Sequence, residues 1–191
     1  MRLFVAAEIG ERLAGRAEEL IHELEKRTAD AAPRARLTWL AANRLHITIR
    51  FIGEVDDVRA AAIVAALQSP IDVQPFDLTL AGTGTFPEHG PPRVVWTGIE
   101  QGRNGLIALE REVRSRLTTF ARPPEGRPYS PHLTLARVRE AAGLRSASLL
   151  EGLEDQSIGT TRIDTITLFE SRLSPKGSIY VPLLRTSLRA G

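Results

Sequence analysis

A chain of 191 residues with 42% hydrophobic side chains is long enough to bury a core, as one domain or as two small lobes. It has no cysteine, which excludes disulfides and thiolate metal sites, and no apolar run near the roughly 20 residues of a membrane span. A net charge of +2 excludes a strongly basic nucleic-acid coat, yet 23 of the 25 Lys and Arg residues are Arg, whose planar fork suits phosphate.

The opening Met1 to Glu8 turns acidic too soon for a secretory signal and reads as a first strand, Leu3 to Ile9. With the lack of cysteine, this accords with a cytoplasmic protein. Residues Glu11 to Ala29 carry Leu13, Ala17, Leu20, Ile21 and Leu24 at helical spacing, and Pro33 ends that stretch. Leu37 to Leu40 and Leu45 to Ile52 read as strands, Gly53 closing the second. Val58 to Leu67 reads as a helix and Phe76 to Ala81 as a strand. Gly82 to Pro92, rich in Gly and Pro, reads as a loop, and Val94 to Ile99 as another strand. Asn104 to Thr119 is a third helix, with Leu106, Leu109, Val113 and Leu117 on one stripe.

Four prolines make Ala121 to Pro131 irregular. His132 to Val138 follows as a strand, Ala147 to Leu153 as a short helix and Ile163 to Ser171 as a strand. Leu173 to Gly177 reads as a turn and Ile179 to Leu184 as a last strand. Uneven connections and hairpin-linked strands point to α+β with mostly antiparallel sheets, not a doubly wound parallel sheet. The long helices each precede a strand with a shared pattern, which suggests two related lobes.

That pattern is a tetrad present twice. His46-Ile47-Thr48-Ile49 and His132-Leu133-Thr134-Leu135 both read His, apolar, Thr, apolar. Side chains alternate across a strand, so each His shares a face with its Thr while the aliphatics enter the core. Histidine titrates near neutrality, so two imidazoles can divide the work of acid and base about one phosphorus, with the Thr hydroxyls donating to the nonbridging oxygens. A zinc site needs three or four ligands and neither tetrad supplies a second one, so neither metal nor cofactor is expected. Of the other histidines, His22 sits on a charged helix and His89 in a loop, both toward solvent.

Arg50, four residues after His46, falls on its face under regular alternation. Arg137, five after His132, falls on the opposite face unless a bulge intervenes. Phe86 and Tyr129 are candidates for stacking on a base, whereas Trp39 and Trp96 read as core.

The chain resembles the 2H phosphoesterases, and more narrowly the RNA 2′,3′-cyclic phosphodiesterases also called 2′-5′ RNA ligases. The resemblance rests on Arg2 to Ala6, Asn43 to Val55, Gly84 to Pro87, Pro92 to Trp96, Pro131 to Val138 and Leu168 to Ser171, in order and spacing. It implies a single bilobal domain over residues 1–191, with two mostly antiparallel sheets and flanking helices related by a pseudo-twofold about a cleft. It implies metal-independent hydrolysis of RNA 2′,3′-cyclic ends to 2′-phosphates, and weak ATP-independent 2′-5′ ligation as the reverse chemistry. His46 then matches the proton donor, His132 the proton acceptor, Thr48 and Thr134 the phosphate-binding hydroxyls, and Arg137 an Arg near the phosphate. Arg50 is a second phosphate candidate. The expected partners are RNA ends, tRNA fragments among them, or cyclic nucleotides, met by a monomer away from any membrane. The rival readings are the same chemistry on a cyclic mononucleotide or an ADP-ribose cyclic phosphate, and a non-catalytic RNA-binding module.

Overall fold

The computed structural model describes residues 1–120, 128–174 and 177–189. Nine strands and four α-helices run in the order β1 (Arg2–Glu8), α1 (Gly10–Ala31), β2 (Arg36–Trp39), β3 (His46–Glu54), α2 (Asp57–Leu67), β4 (Phe76–Phe86), β5 (Val94–Gln101), α3 (Arg103–Arg116), β6 (Leu133–Glu140), α4 (Ser146–Leu150), β7 (Ser157–Ile163), β8 (Thr165–Ser174) and β9 (Gly177–Ser187), among the described residues. Their pairings are antiparallel, and the strand order is β7-β4-β5-β6-β3-β1-β8-β9, with β2 alongside β6. The fold is α+β. The strand order divides into two four-stranded halves, β7-β4-β5-β6 and β9-β8-β1-β3, that meet through one pair of facing residues, Ile47 and Leu133. The two expected sheets are thus joined edge to edge into one curled sheet.

The helices form where sequence periodicity places them. Helix α1 buries Leu13, Ala14, Ala17, Leu20, Ile21 and Leu24 against β7 and α4. Asp56 caps α2 by accepting from the Arg59 backbone N–H at 2.8 Å. Helix α3 buries Leu106, Leu109 and Val113 and packs on β3.

Three expectations need correction. Strand β4 does not end at Ala81 but runs to Phe86, through residues that read as loop. Its glycines serve close packing: a Cβ on Gly84 would lie 2.2 Å from the Trp96 ring, so the small residue admits the indole. Strand β7 has no counterpart among the expected elements, because Ser157 to Ile163 carries few apolar residues, yet it forms an outer strand beside β4. Gly53 does not close β3, which continues to Glu54. Of the proline-rich stretch, residues 121–127 lie outside the described residues, as do residues 175 and 176 of the expected turn between β8 and β9.

One face of the sheet carries the main core, including Ile47, Ile49, Leu133 and Leu135, beneath the helices. On the other face a small cluster of Phe4, Ala6 and Phe169, with Tyr180 against it, lies apart from that core. The second face carries the tetrad histidines.

Candidate active site

The facing pair Ile47 and Leu133 builds the site. Both side chains are fully buried, so the residues flanking them emerge together on the opposite face. Antiparallel alignment sets His46 alongside Thr134 and Thr48 alongside His132. All four side chains are half-buried, and neither Thr hydroxyl enters a protein hydrogen bond among the described residues.

The two imidazoles are held in the same way. His46 Nδ1 lies 2.8 Å from the Arg44 carbonyl, and His132 Nδ1 lies 2.8 Å from the Ser130 carbonyl. A carbonyl only accepts, so each Nδ1 carries the hydrogen and each Nε2 is the atom left to gain or lose a proton. The ring of His46 stands 5.0 Å from Phe4 and edge-on to Tyr180 at 5.1 Å. The ring of His132 stands edge-on to Phe86 at 5.0 Å, with Trp96 at 6.5 Å. Burial in these walls pushes His46 down from the ordinary 6.5 to about 4; the Arg44 carbonyl opposes the shift and the Arg137 cation adds to it. Burial also lowers His132, against the Ser130 carbonyl and again with the help of Arg137. Both imidazoles are therefore neutral in the free protein at pH 7.

Each tetrad ends in a bulge, and the bulges decide which arginine reaches the site. On β6, Trp96 pairs with Thr134 and Val95 with Ala136, so Leu135 is the extra residue. The bulge turns Arg137 onto the histidine face, as the resemblance requires and simple alternation does not. Its charge acts on both imidazoles. On β3, Ala6 pairs with Thr48 and Val5 with Arg50, so Ile49 is the extra residue in the corresponding place.

The same device overturns the expectation for Arg50. The bulge carries it away from His46 into the protein, where it is 6% exposed and its Nη1 donates to Glu110 Oε1 of α3 at 3.3 Å. Phe51 takes the place on β3 that Arg137 holds on β6. It is 67% exposed, with its ring 6.2 Å from Phe4.

Tyr129 also departs from its expected role. Its ring packs on the main core, and its hydroxyl donates to the Thr48 carbonyl at 3.0 Å, which ties the approach to one tetrad to the strand of the other. Burial, and then the Glu110 carboxylate, hold the phenol well above its ordinary range, so it remains a donor. Phe86 lies against His132 as part of the site wall. Trp39 packs on the main core as expected, but Trp96 stands with Phe86 on the site face, its ring centroid 5.2 Å from that of Phe86. His22 and His89 are exposed.

Sequence reasoning misses two carboxylates near the site. Glu8 pairs across the sheet with His46 and accepts from the Thr167 hydroxyl at 2.7 Å. Glu110 sits within the apolar stripe Leu106, Leu109, Val113, and a carboxylate on such a stripe is the signal that could have revealed it.

The family model for the 2'-5' RNA ligase superfamily matches residues 13–174. The RNA 2',3'-cyclic phosphodiesterase of Aeropyrum pernix is 40% identical over 139 residues, covering 72% of this chain and 78% of its own length. The protein of the same name from Thermotoga maritima is 30% identical and covers 100% of this chain and 97% of its own. Among solved structures, E. coli LigT complexed with 3'-AMP superposes with a TM-score of 0.75 at 28% identity, covering 98% of this chain and 97% of its own. The Thermus thermophilus protein TT0787 gives 0.76 at 27% identity, covering 100% and 99%. Two His-x-Thr-x strands folded onto one face, in a fold shared with these structures, define a 2H phosphoesterase. Within that class, the chain belongs to the 2'-5' RNA ligase superfamily.

Proposed function

We propose that this protein hydrolyses RNA 2′,3′-cyclic phosphodiester ends to 2′-phosphate ends without a metal. The observation that carries the reading is the Ile47–Leu133 pair, which sets two His/Thr pairs on one face with a pseudo-twofold between them. The names of the relatives supply the substrate class.

His132 Nε2 takes a proton from water as the water oxygen bonds to phosphorus. The bond from phosphorus to the 3′ oxygen breaks, and that oxygen receives a proton from His46 Nε2. Thr48 and Thr134 donate to the nonbridging oxygens, where charge gathers, and Arg137 offsets it. Arg50 has no part at the phosphate, because it is turned to Glu110. His46 is neutral in the free protein, so its proton is held only once the substrate anion lies beside it and offsets burial and Arg137. Ligation is the same step with a 5′ hydroxyl in place of water: its oxygen bonds to phosphorus, His132 takes its proton, and the 3′ oxygen departs as before.

One chain supplies every group named, from both halves, so a single domain spanning residues 1–191 and acting as a monomer suffices. Among the described residues no helix is long and apolar enough to cross a membrane, and a cytoplasmic setting accords with the lack of cysteine. The test is the product formed from an oligonucleotide with a 2′,3′-cyclic end. A 2′-phosphate is expected, a 3′-phosphate would exchange the two histidine roles, and no turnover would leave a binding module.

A further inference from the structure

The two bulged strands match in register but differ in what they present beyond the site. On β6, Arg137 and Arg139 are both exposed, while Val138 between them packs on the main core. Thr38 of β2 faces Arg137 in the ladder and accepts from Arg139 Nε at 3.4 Å, which places Arg139 on the histidine face as well. Leu37 pairs with Val138 and Arg36 with Glu140, so Arg139 is the extra residue of a bulge at the end of β6, beyond Arg137. Among the described residues neither Arg137 nor Arg139 is in an ion pair with a carboxylate, whereas Arg36 on the same edge is bridged to Glu140 at 3.7 Å.

On β3 Phe51 holds the place of Arg137. A second bulge, at Ile52, sets Gly53 opposite the core residue Leu3 and brings the exposed Glu54, opposite Arg2, onto the histidine face. On this face the strand offers a ring and a carboxylate but no cation. The two strands run in opposite directions through the Ile47–Leu133 pair. Strand β6 leaves the site on the His46 side, and β3 leaves it on the His132 side. The face is thus polarised, with cations beyond His46 and an exposed aromatic ring beyond His132.

We infer that the RNA chain leaves the phosphate site over Arg137 and Arg139, on the His46 side, so that Arg139 binds the phosphate next to the cyclic end. This rests on the reading above and extends it from the reacting group to the path of the polymer. The 3′ oxygen that departs toward His46 stays on the ribose of the RNA, so the chain belongs on that side and the attacking water on the other. Phe51 cannot neutralise a phosphate, and Arg139 can.

The experiment compares a short RNA ending in a 2′,3′-cyclic phosphate with a 2′,3′-cyclic mononucleotide across a salt series. Arg139→Gln is expected to raise KM for the oligonucleotide roughly 3–10-fold and to lower the log–log salt slope by about 0.7, the share of one single-strand phosphate. It should leave kcat and KM for the mononucleotide as they were, and Arg139→Lys should keep the slope. Phe51→Leu should not alter the ratio between the two substrates. An equal effect of Arg139→Gln on both substrates, or none on either, overturns the inference. A loss confined to the oligonucleotide in Phe51→Leu also overturns it, by sending the chain the other way. Failure of the hydrolase reading would look different: the unaltered protein would turn over neither substrate, while oligonucleotide binding would still report the contribution of Arg139.

Discussion

At the scale of single residues, the two imidazoles are the groups to which the proposed mechanism gives the proton transfers, and their burial has a cost. Replacing either His46 or His132 with Ala should lower kcat about 10²–10⁴-fold, the usual share of a general acid or base. Steady-state kinetics on a cyclic mononucleotide would check this, and full activity in either variant would refute the division of labour. Burial also makes His46 a source of acid sensitivity. Its pKa is about 4 when folded, against an ordinary 6.5, so the unfolded chain binds the extra proton between those values. The stability is complete above pH 6.5 and is lost as pH falls toward 4, by about 3 kcal/mol. Thermal melts of the protein and of His46→Gln from pH 7 to 4 should therefore diverge, with the variant losing less. Parallel curves would mean that His46 is not desolvated in the folded state.

At the scale of elements, two contacts hold β3 in its bulged path. The first is the Arg50–Glu110 pair, with side chains only 6% and 9% exposed. Glu110→Leu alone would take the carboxylate away from a buried guanidinium and should cost about 3–5 kcal/mol in denaturant unfolding. Arg50→Met with Glu110→Leu together should recover most of that loss, since a well-packed apolar pair replaces a buried ionic one at little net expense. A double variant no more stable than the single would show that Arg50 is not held chiefly by Glu110. The second contact is the Tyr129 hydroxyl on the Thr48 carbonyl. Tyr129→Phe keeps the ring and removes the donor, so stability should fall about 1 kcal/mol and kcat by less than either histidine loss. A full Ala-like collapse of activity would make the phenol a participant in the reaction.

Elements also show where sequence reading reaches and where it stops. The long helices and the two tetrad strands are legible because their apolar periodicity is strong. Strand β7 is not, since an outer strand such as Ser157–Ile163 needs little burial on either face. The extension of β4 through Gly82 to Phe86 is masked by glycines whose reasons lie more than ten residues away in the chain, the Trp96 ring against Gly84 and the Glu154 carbonyl against Gly82. Counting alternation assigns Arg50 to the site and Arg137 away from it, and one inserted residue per strand reverses both.

Across the whole molecule, the site exists only where the two halves meet, so its pH response belongs to the pair. The rate profile should be bell-shaped, with limbs that cannot be given to either histidine singly. On kcat/KM the acid limb should lie below 6.5, because burial lowers both imidazoles from that value. The same assay in a chelator should show unchanged turnover, and activity that a divalent ion restored would overturn the mechanism.

The sequence by itself determined which side chains make up the candidate site. Two imidazoles and two hydroxyls were bound to share faces, because side chains alternate along any strand and the aliphatics between them had to be buried. Only the tertiary structure decided how the halves meet and which arginine lies on the histidine face. Those choices rest on the Ile47–Leu133 ladder pair and on bulges at Ile49 and Leu135, and a bulge is a property of two paired strands rather than of either one.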